Sequence, residues 1–326
     1  MFSERPKQLR DFGDLFMPEE ADEPILARPV RTALLEWLTE IWAEPELVAV
    51  GIKARKRAIF DGPPGVGKTT LGHHLAARLG LPMLAVRPEH IIDKWVGSTG
   101  RNIGELFDCA RRGLANPRAG ADATTPVVLF LDEFEALGGK RLDPSSGADN
   151  HRNEAVDTLL QRLEQHDGFV IAATNFADRV DAAMWRRFDI HLTLELPGED
   201  EIERIFARYI APFGLPKPAL KEVARSLATA SPALIRAFCE NIKRQIVLGP
   251  RLKFDMAKGA VIDRVIASSH PHPSAGKPRL WSLGAADHAV SVMPWPLPLA
   301  KDVGADVAAV VPPDDAGTVV PFGGRR

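Results

Sequence analysis

At 326 residues the chain can fold as one large domain or as two ordinary ones, each burying its own core. Its 41 Lys+Arg against 43 Asp+Glu give a net charge of −2, which argues against wholesale binding to nucleic acid or anionic membrane and leaves room only for a local basic patch. Cys109 and Cys239 lack metal-ligand spacing and read as reduced, structural thiols. The opening MFSERPKQLRDFGD lacks the apolar core of a secretory leader, and no run approaches ~18 apolar residues. These features predict a soluble, cytoplasmic protein without a membrane span.

Residues 1–24 are polar and acidic and read as an arm. After Pro29, VRTALLEWLTEIW has apolar residues at helical spacing. Strands and helices then alternate. RAIFD (57–61) is a short apolar strand, KTTLGHHLAARLG (68–80) a helix, PMLAVR (82–87) a strand and GRNIGELFDCARRG (100–113) a helix. VVLFLDE (127–133) is a continuous apolar run, the pattern of a strand buried on both faces. NEAVDTLLQRLEQHDG (153–168) is a helix, and FVIAATN (169–175) and IHLTLELP (190–197) are further strands. Such alternation predicts an α/β domain over 25–198, a parallel sheet flanked by helices. Beyond Pro197 the strands stop, and four consecutive helical patterns predict a small all-α domain over 199–269. Residues 270–326 are proline-rich without sustained periodicity and read as a disordered tail. Trp281 and Trp295 are the only hint there of a docking segment.

Between the strand at 57–61 and the helix at 68–80 lies GPPGVGKT. It fits G-x-x-x-x-G-K-[ST] and stands where that motif must stand, leaving a strand and opening a helix. In such a loop Gly62, Pro63, Pro64, Gly65, Val66 and Gly67 let successive backbone N–H groups converge on an anion, beside the partial positive charge of a helix start at Lys68, Thr69 and Thr70. Lys68 can reach the β- and γ-phosphates of ATP, and Thr69 offers a hydroxyl to Mg²⁺.

Three further features suit ATP hydrolysis. Asp132 and Glu133 end the apolar strand VVLFLDE, where side chains enter the ligand crevice of such folds. Asp132 would hold Mg²⁺, and Glu133 would act as the base for the attacking water. Asn175, ending FVIAATN, can orient that water without adding negative charge. Arg186 and Arg187 precede the last strand, and an arginine supplied by a neighbouring subunit can raise the rate by ~10³–10⁵.

Together these motifs resemble the AAA family within the wider AAA+ group of P-loop NTPases. GPPGVGKT is similar to its Walker A loop, FLDEFEAL to its Walker B, and AATN to its first sensor. TNFADRVDAAMWRRFDIHLTLELP is similar to its second region of homology, with Arg186-Arg187 in the pattern of the microtubule-severing and membrane-scission branch. The resemblance covers about residues 25–268. It implies five parallel strands in order 5-1-4-3-2, a helical lid, and a ring of usually six copies with ATP at each boundary. DKWVGSTGRNIGELF resembles the family's first pore loop, which implies that Lys94, Trp95 and Val96 grip a threaded polypeptide. Residues 143–153 stand where a second pore loop would lie.

The chain departs from the family pattern at Pro232-Ala233, where Gly-Ala is common, and at Leu26-Ala27, where Gly-Gly usually meets the adenine. With only a short arm ahead of the core, substrate choice would fall to an adaptor, the tail or the pore. The leading expectation is an ATP-hydrolysing ring that remodels or threads protein substrates. A DNA-directed AAA+ motor or loader is the competing expectation and would need a basic channel, against which Trp95 and the near-neutral charge both speak. A nucleotide-binding scaffold without turnover is the third, opposed by Glu133, Asn175 and Arg186-Arg187.

Overall fold

The computed structural model describes residues 7–92, 98–116, 123–141, 147–272 and 276–303. Lys94, Trp95 and Val96 lie outside the described residues, as do 143–146 of the expected second pore loop. In chain order the strands are β1 (Gly13–Phe16), β2 (Arg57–Asp61), β3 (Met83–Val86), the short pair β4 (Leu114–Ala115) and β5 (Thr124–Thr125), β6 (Val128–Leu131), β7 (Val170–Thr174) and β8 (Ile190–Thr193). Interleaved with them are α1 (Arg28–Trp42), α2 (Glu44–Ala49), α3 (Lys68–Arg78), α4 (Pro88–Ile91), α5 (Ser98–Arg112), α6 (Phe134–Leu137), α7 (Gly147–Gln165) and α8 (Ala182–Trp185). The helices α9 (Glu199–Ile210), α10 (Lys217–Ser226), α11 (Pro232–Leu248), α12 (Lys258–Ser268), α13 (Arg279–Leu283) and α14 (His288–Val292) follow, with no further strand among the described residues.

Every residue of β3, β6 and β7 is buried, which is why these segments read as unbroken apolar runs. Alternate side chains serve two cores. Ile59, Leu129 and Leu131 join the cluster beneath α5 and α7, whereas Phe60, Val128 and Phe130 join the one beneath α1 and α3. The main sheet runs β1-β3-β6-β7-β2-β8. Its five parallel members, numbered in chain order, stand 5-1-4-3-2 as expected.

The sheet nevertheless has six strands, not five. β1 joins antiparallel to β3, from Gly13 opposite Val86 to Phe16 opposite Met83. Four residues inside a polar arm carry too little alternation to read as a strand, and the open edge of β3 creates the pairing. Gly13 is needed there, because a Cβ would stand 1.9 Å from Ala85 O.

A second correction concerns the segment expected to be a disordered tail. Leu280, Trp281, Ala289, Val290, Met293 and Leu297 are buried in the same cluster as Ile235, Phe238 and Ile262 of the helical part. Trp281 Nε1 donates to Ser269 O at 2.6 Å, and Trp295 Nε1 donates to Met256 O at 2.8 Å. Two five-residue helices between prolines cannot display a 3.6-residue period, so their apolar residues looked scattered. Residues 304–326 lie outside the described residues.

The two parts meet at residues 25–26. Ile25 packs on the helical cluster and Leu26 on the sheet cluster under α1. Arg204 of α9 donates to Leu26 O at 3.4 Å.

Candidate nucleotide site

The chain leaves β2 at Asp61 and enters α3 at Lys68 through a loop whose glycines hold backbone conformations that a Cβ would resist. Gly62, Gly65 and Gly67 have φ of 145°, 79° and 97°. A Cβ on Gly62 would lie 2.1 Å from Leu194 O. One on Gly65 would lie 3.0 Å from both Ala233 Cβ and Ser231 Oγ. Pro63, Pro64 and Val66 are partly buried between these glycines, and Thr70 is exposed on the first turn of α3.

Lys68 is only 7% exposed. Its Nζ donates to Gly62 O at 2.7 Å, Pro63 O at 3.1 Å and Asn175 Oδ1 at 2.7 Å. Burial pushes its pKa below the usual lysine value, against the opposing pull of Asp132. Thr69 Oγ1 donates to Asp132 Oδ2 at 3.3 Å, and the other Asp132 oxygen accepts from the Glu133 N–H at 2.9 Å. Glu133 is an exposed non-glycine residue at φ 46°, a left-handed conformation that costs on the order of 1–3 kcal/mol and tends to collect at functional sites. Lys68, Thr69, Asp132, Glu133 and Asn175 thus stand together at the C-terminal edge of the parallel strands.

Arg186 and Arg187 do not join them. In the parallel register of β2 and β8, Ala58 is opposite Ile190 and Asp61 opposite Thr193. The arginines precede Ile190, so they sit at the N-terminal edge, a strand length of roughly 10 Å or more from the phosphate loop. Nearby, the Asp189 N–H donates to Arg57 O at 3.1 Å. Both arginines are exposed, and Arg187 is ion-paired with Glu164 of α7.

Some contacts of the site were not foreseen from the sequence. The Ala233 N–H, in the first turn of α11, donates to Gly65 O at 3.2 Å, so the helical part touches the phosphate loop directly. Ser231-Pro232 carries the signal of a helix start, and Ser231 Oγ accepts from the Leu234 N–H at 3.3 Å. That signal locates the helix but not what it touches. Fully buried Thr174 donates to Glu135 Oε2 at 2.6 Å, tying β7 to the turn after Asp132.

Residues 58–196, which hold this geometry, match the ATPase family associated with various cellular activities (AAA). These residues form an AAA ATPase domain. It is 36% identical over 202 residues to an uncharacterized AAA family ATPase, y4kL, of Sinorhizobium fredii, covering 61% of this chain and 57% of that one. It is 33% identical over 207 residues to the proteasome-activating nucleotidase of Methanopyrus kandleri, covering 60% of this chain and 44% of the relative. The chain therefore spans about half the length of these curated relatives. The crystal structure of the FIGL-1 AAA domain in complex with ADP shares the fold, with a TM-score of 0.57 and 20% identity over 73% of this chain and 77% of that one. No described helix is long and apolar enough to cross a membrane.

Proposed function

We propose that this protein binds and hydrolyses ATP at the edge formed by Lys68, Thr69, Asp132, Glu133 and Asn175, and that neighbouring copies complete one another's sites. The observation that carries this reading is the division of the residues. The phosphate-binding and water-handling groups share one edge of the sheet, while Arg186 and Arg187 occupy the opposite one.

The glycine-rich loop, from Gly62 to Gly67, wraps the phosphates, and Lys68 binds the β- and γ-phosphate oxygens. Thr69 and Asp132 suit Mg²⁺, an ion usually held by one or two protein oxygens together with phosphates, because their oxygens already stand 3.3 Å apart. Thr69 and Asp132 would hold the ion, which would supply positive charge against the negative charge developing on the phosphates. Glu133 takes the proton of a water whose oxygen bonds the γ-phosphorus as the bond to the β-phosphate oxygen breaks. Asn175, held beside Lys68, orients that water. Arg186 or Arg187 of the neighbouring copy stabilises the charge spreading over the transferred phosphoryl group.

Protein is the substrate class this reading favours. The relative named a proteasome-activating nucleotidase supports it, as does the resemblance of Lys94, Trp95 and Val96 to a pore loop. A ring of six, working in the cytoplasm with or without an adaptor, is the assembly the family resemblance implies.

Mixing Arg187→Ala with Lys68→Ala, each inactive alone, in Mg·ATP tests the shared site. Activity returns at boundaries that pair one variant's intact phosphate loop with the other's arginine if each site borrows a neighbour's arginine. A mixture that co-assembles and stays inactive means the sites are independent and refutes the reading. Trp95→Ala should keep basal ATPase and lose protein remodelling; a variant that remodels at the parental rate removes Trp95 from substrate contact.

A further inference from the structure

The parallel ladder between β6 and β7 stops at Leu131 opposite Ala172. The two segments meet again at Gly139 and Val180, where the Asp181 N–H donates to Gly138 O at 2.9 Å and the Lys140 N–H to Arg179 O at 2.8 Å. Between these backbone contacts lie the two groups assigned to the attacking water, Glu133 on one segment and Asn175 on the other. Each segment is held on its outer side. The Asp132 N–H donates to Val86 O of β3 at 3.2 Å, and Thr174 stands opposite Asp61 of β2.

Thr174 and Glu135 span the interval. Thr174 is fully buried, and its Oγ1 donates to Glu135 Oε2 at 2.6 Å. The same Oγ1 accepts from the Phe176 N–H at 3.0 Å, closing a tight turn around Asn175. The hydroxyl therefore uses its donor and an acceptor lone pair at once, which fixes its rotamer. On the other segment, Glu135 lies two residues after Glu133, in a turn where the Ala136 N–H donates to Glu133 O at 2.8 Å. Its neighbour Phe134 is buried edge-on to Phe188, with ring centroids 5.3 Å apart, so this turn is anchored in the core.

Full burial keeps the Thr174 hydroxyl away from nucleotide. Whatever the pair contributes to turnover passes through the residues it holds. A base must come within about 2.6–3.2 Å of the water it deprotonates, and Asn175 must meet the same oxygen. Two groups on separate segments satisfy that at one spacing only, and a displacement of about 1 Å can cost about 10²-fold in rate.

We propose that Thr174 and Glu135 are positioning residues whose hydrogen bond sets the separation of Glu133 from Asn175, so that one water meets both. This role rests on the reading of Glu133 and Asn175 given above. It predicts a loss confined to the chemical step. Asn175 Oδ1 accepts from Lys68 Nζ, but Lys68 also holds Gly62 O and Pro63 O, so the phosphate loop keeps its lysine when Asn175 shifts.

Steady-state kinetics with Mg·ATP on Thr174→Val, Thr174→Ser and Glu135→Ala test the assignment, with thermal midpoints and ATP titrations showing that each variant is folded and binds nucleotide. Thr174→Val keeps the side-chain shape and loses the hydroxyl, and its kcat should fall by about 10²-fold with ATP affinity unchanged. Thr174→Ser restores the hydroxyl and should recover most of the rate. Glu135→Ala should match Thr174→Val, and the double variant should be no slower than either, as expected when both remove one bond. In a Glu133→Gln background, Thr174→Val should slow turnover little further, because the water has already lost its base. A folded Thr174→Val with parental kcat, or a serine variant as slow as the valine, makes the bond a structural one and overturns the positioning role. Should Thr174→Val not fold, parental kcat in Glu135→Ala overturns it equally. Losses from Thr174→Val and Glu133→Gln that simply multiply would also sink it, while leaving the base in place. Parental turnover by Glu133→Gln alone defeats the underlying reading instead.

Discussion

The two edges of the parallel sheet are built in opposite ways. At the C-terminal edge, polar groups close upon one another: Lys68 is buried and bound to Asn175, and Thr69 is bound to Asp132, which also takes the Glu133 N–H. At the N-terminal edge Arg186 and Arg187 are exposed, and the nearby turn after α2 leaves Val50 70% exposed. The first edge is organised by this chain alone. The second leaves charge and apolar side chains exposed, with Arg187 paired to Glu164. Under the proposed shared site, the groups of one active site divide between the two edges of the same sheet.

The strongest way to break this contrast is complementation. Lys68→Ala damages a copy's own phosphate site but leaves its arginines, and Arg187→Ala does the reverse. Each alone should be inactive, the arginine variant by ~10³–10⁵ in turnover, while an equal mixture regains activity at mixed boundaries. No recovery in a mixture shown to co-assemble would mean the two edges do not meet. Glu133→Gln should lower turnover by about 10²–10⁴ and leave ATP binding intact, as measured by nucleotide titration. Turnover near the parental rate would take the base role from the inner edge.

Smaller effects sharpen the comparison by showing what supports each edge. Trp281→Ala should destabilise the helical part by about 3–5 kcal/mol, read from denaturant midpoints, because it removes a buried indole that packs 5.5 Å from Phe238. An unaltered midpoint would mean that residues 276–303 do not belong to that core. His166 is 7% exposed with Nε2 unpartnered, and burial, helped by Arg111, lowers its pKa. The unfolded chain therefore binds the proton more readily, so stability is full above about pH 6.5 and declines as pH falls below it. His166→Asn should flatten that decline in thermal midpoints measured from pH 5 to 7; an identical slope would remove His166 as its source.

Much of the inner edge was legible in the chain. GPPGVGKT, the apolar run ending at Asp132 and Glu133, and the run ending at Asn175 are local patterns whose flanking elements announce themselves. Each strand buried on both faces must be apolar throughout, and the turn after it carries the polar groups, so the positions of strands and ligand-facing residues along the chain follow from one-dimensional spacing, whereas the order 5-1-4-3-2 came from the family resemblance alone.

Contacts between segments remote in the chain were not legible. Nothing in GDLF announces that it will pair with β3, and nothing in residues 276–303 announces a core, since short helices between prolines carry no measurable period. Nor does spacing reveal that Ala233 touches Gly65, that Glu164 holds Arg187, or that Arg187 stands at the far edge from Lys68. Chain pattern records how each residue meets its near neighbours and whether it meets water. Which distant surface supplies the apolar or charged complement is settled only when the elements pack, because many partners could satisfy the same residue equally well.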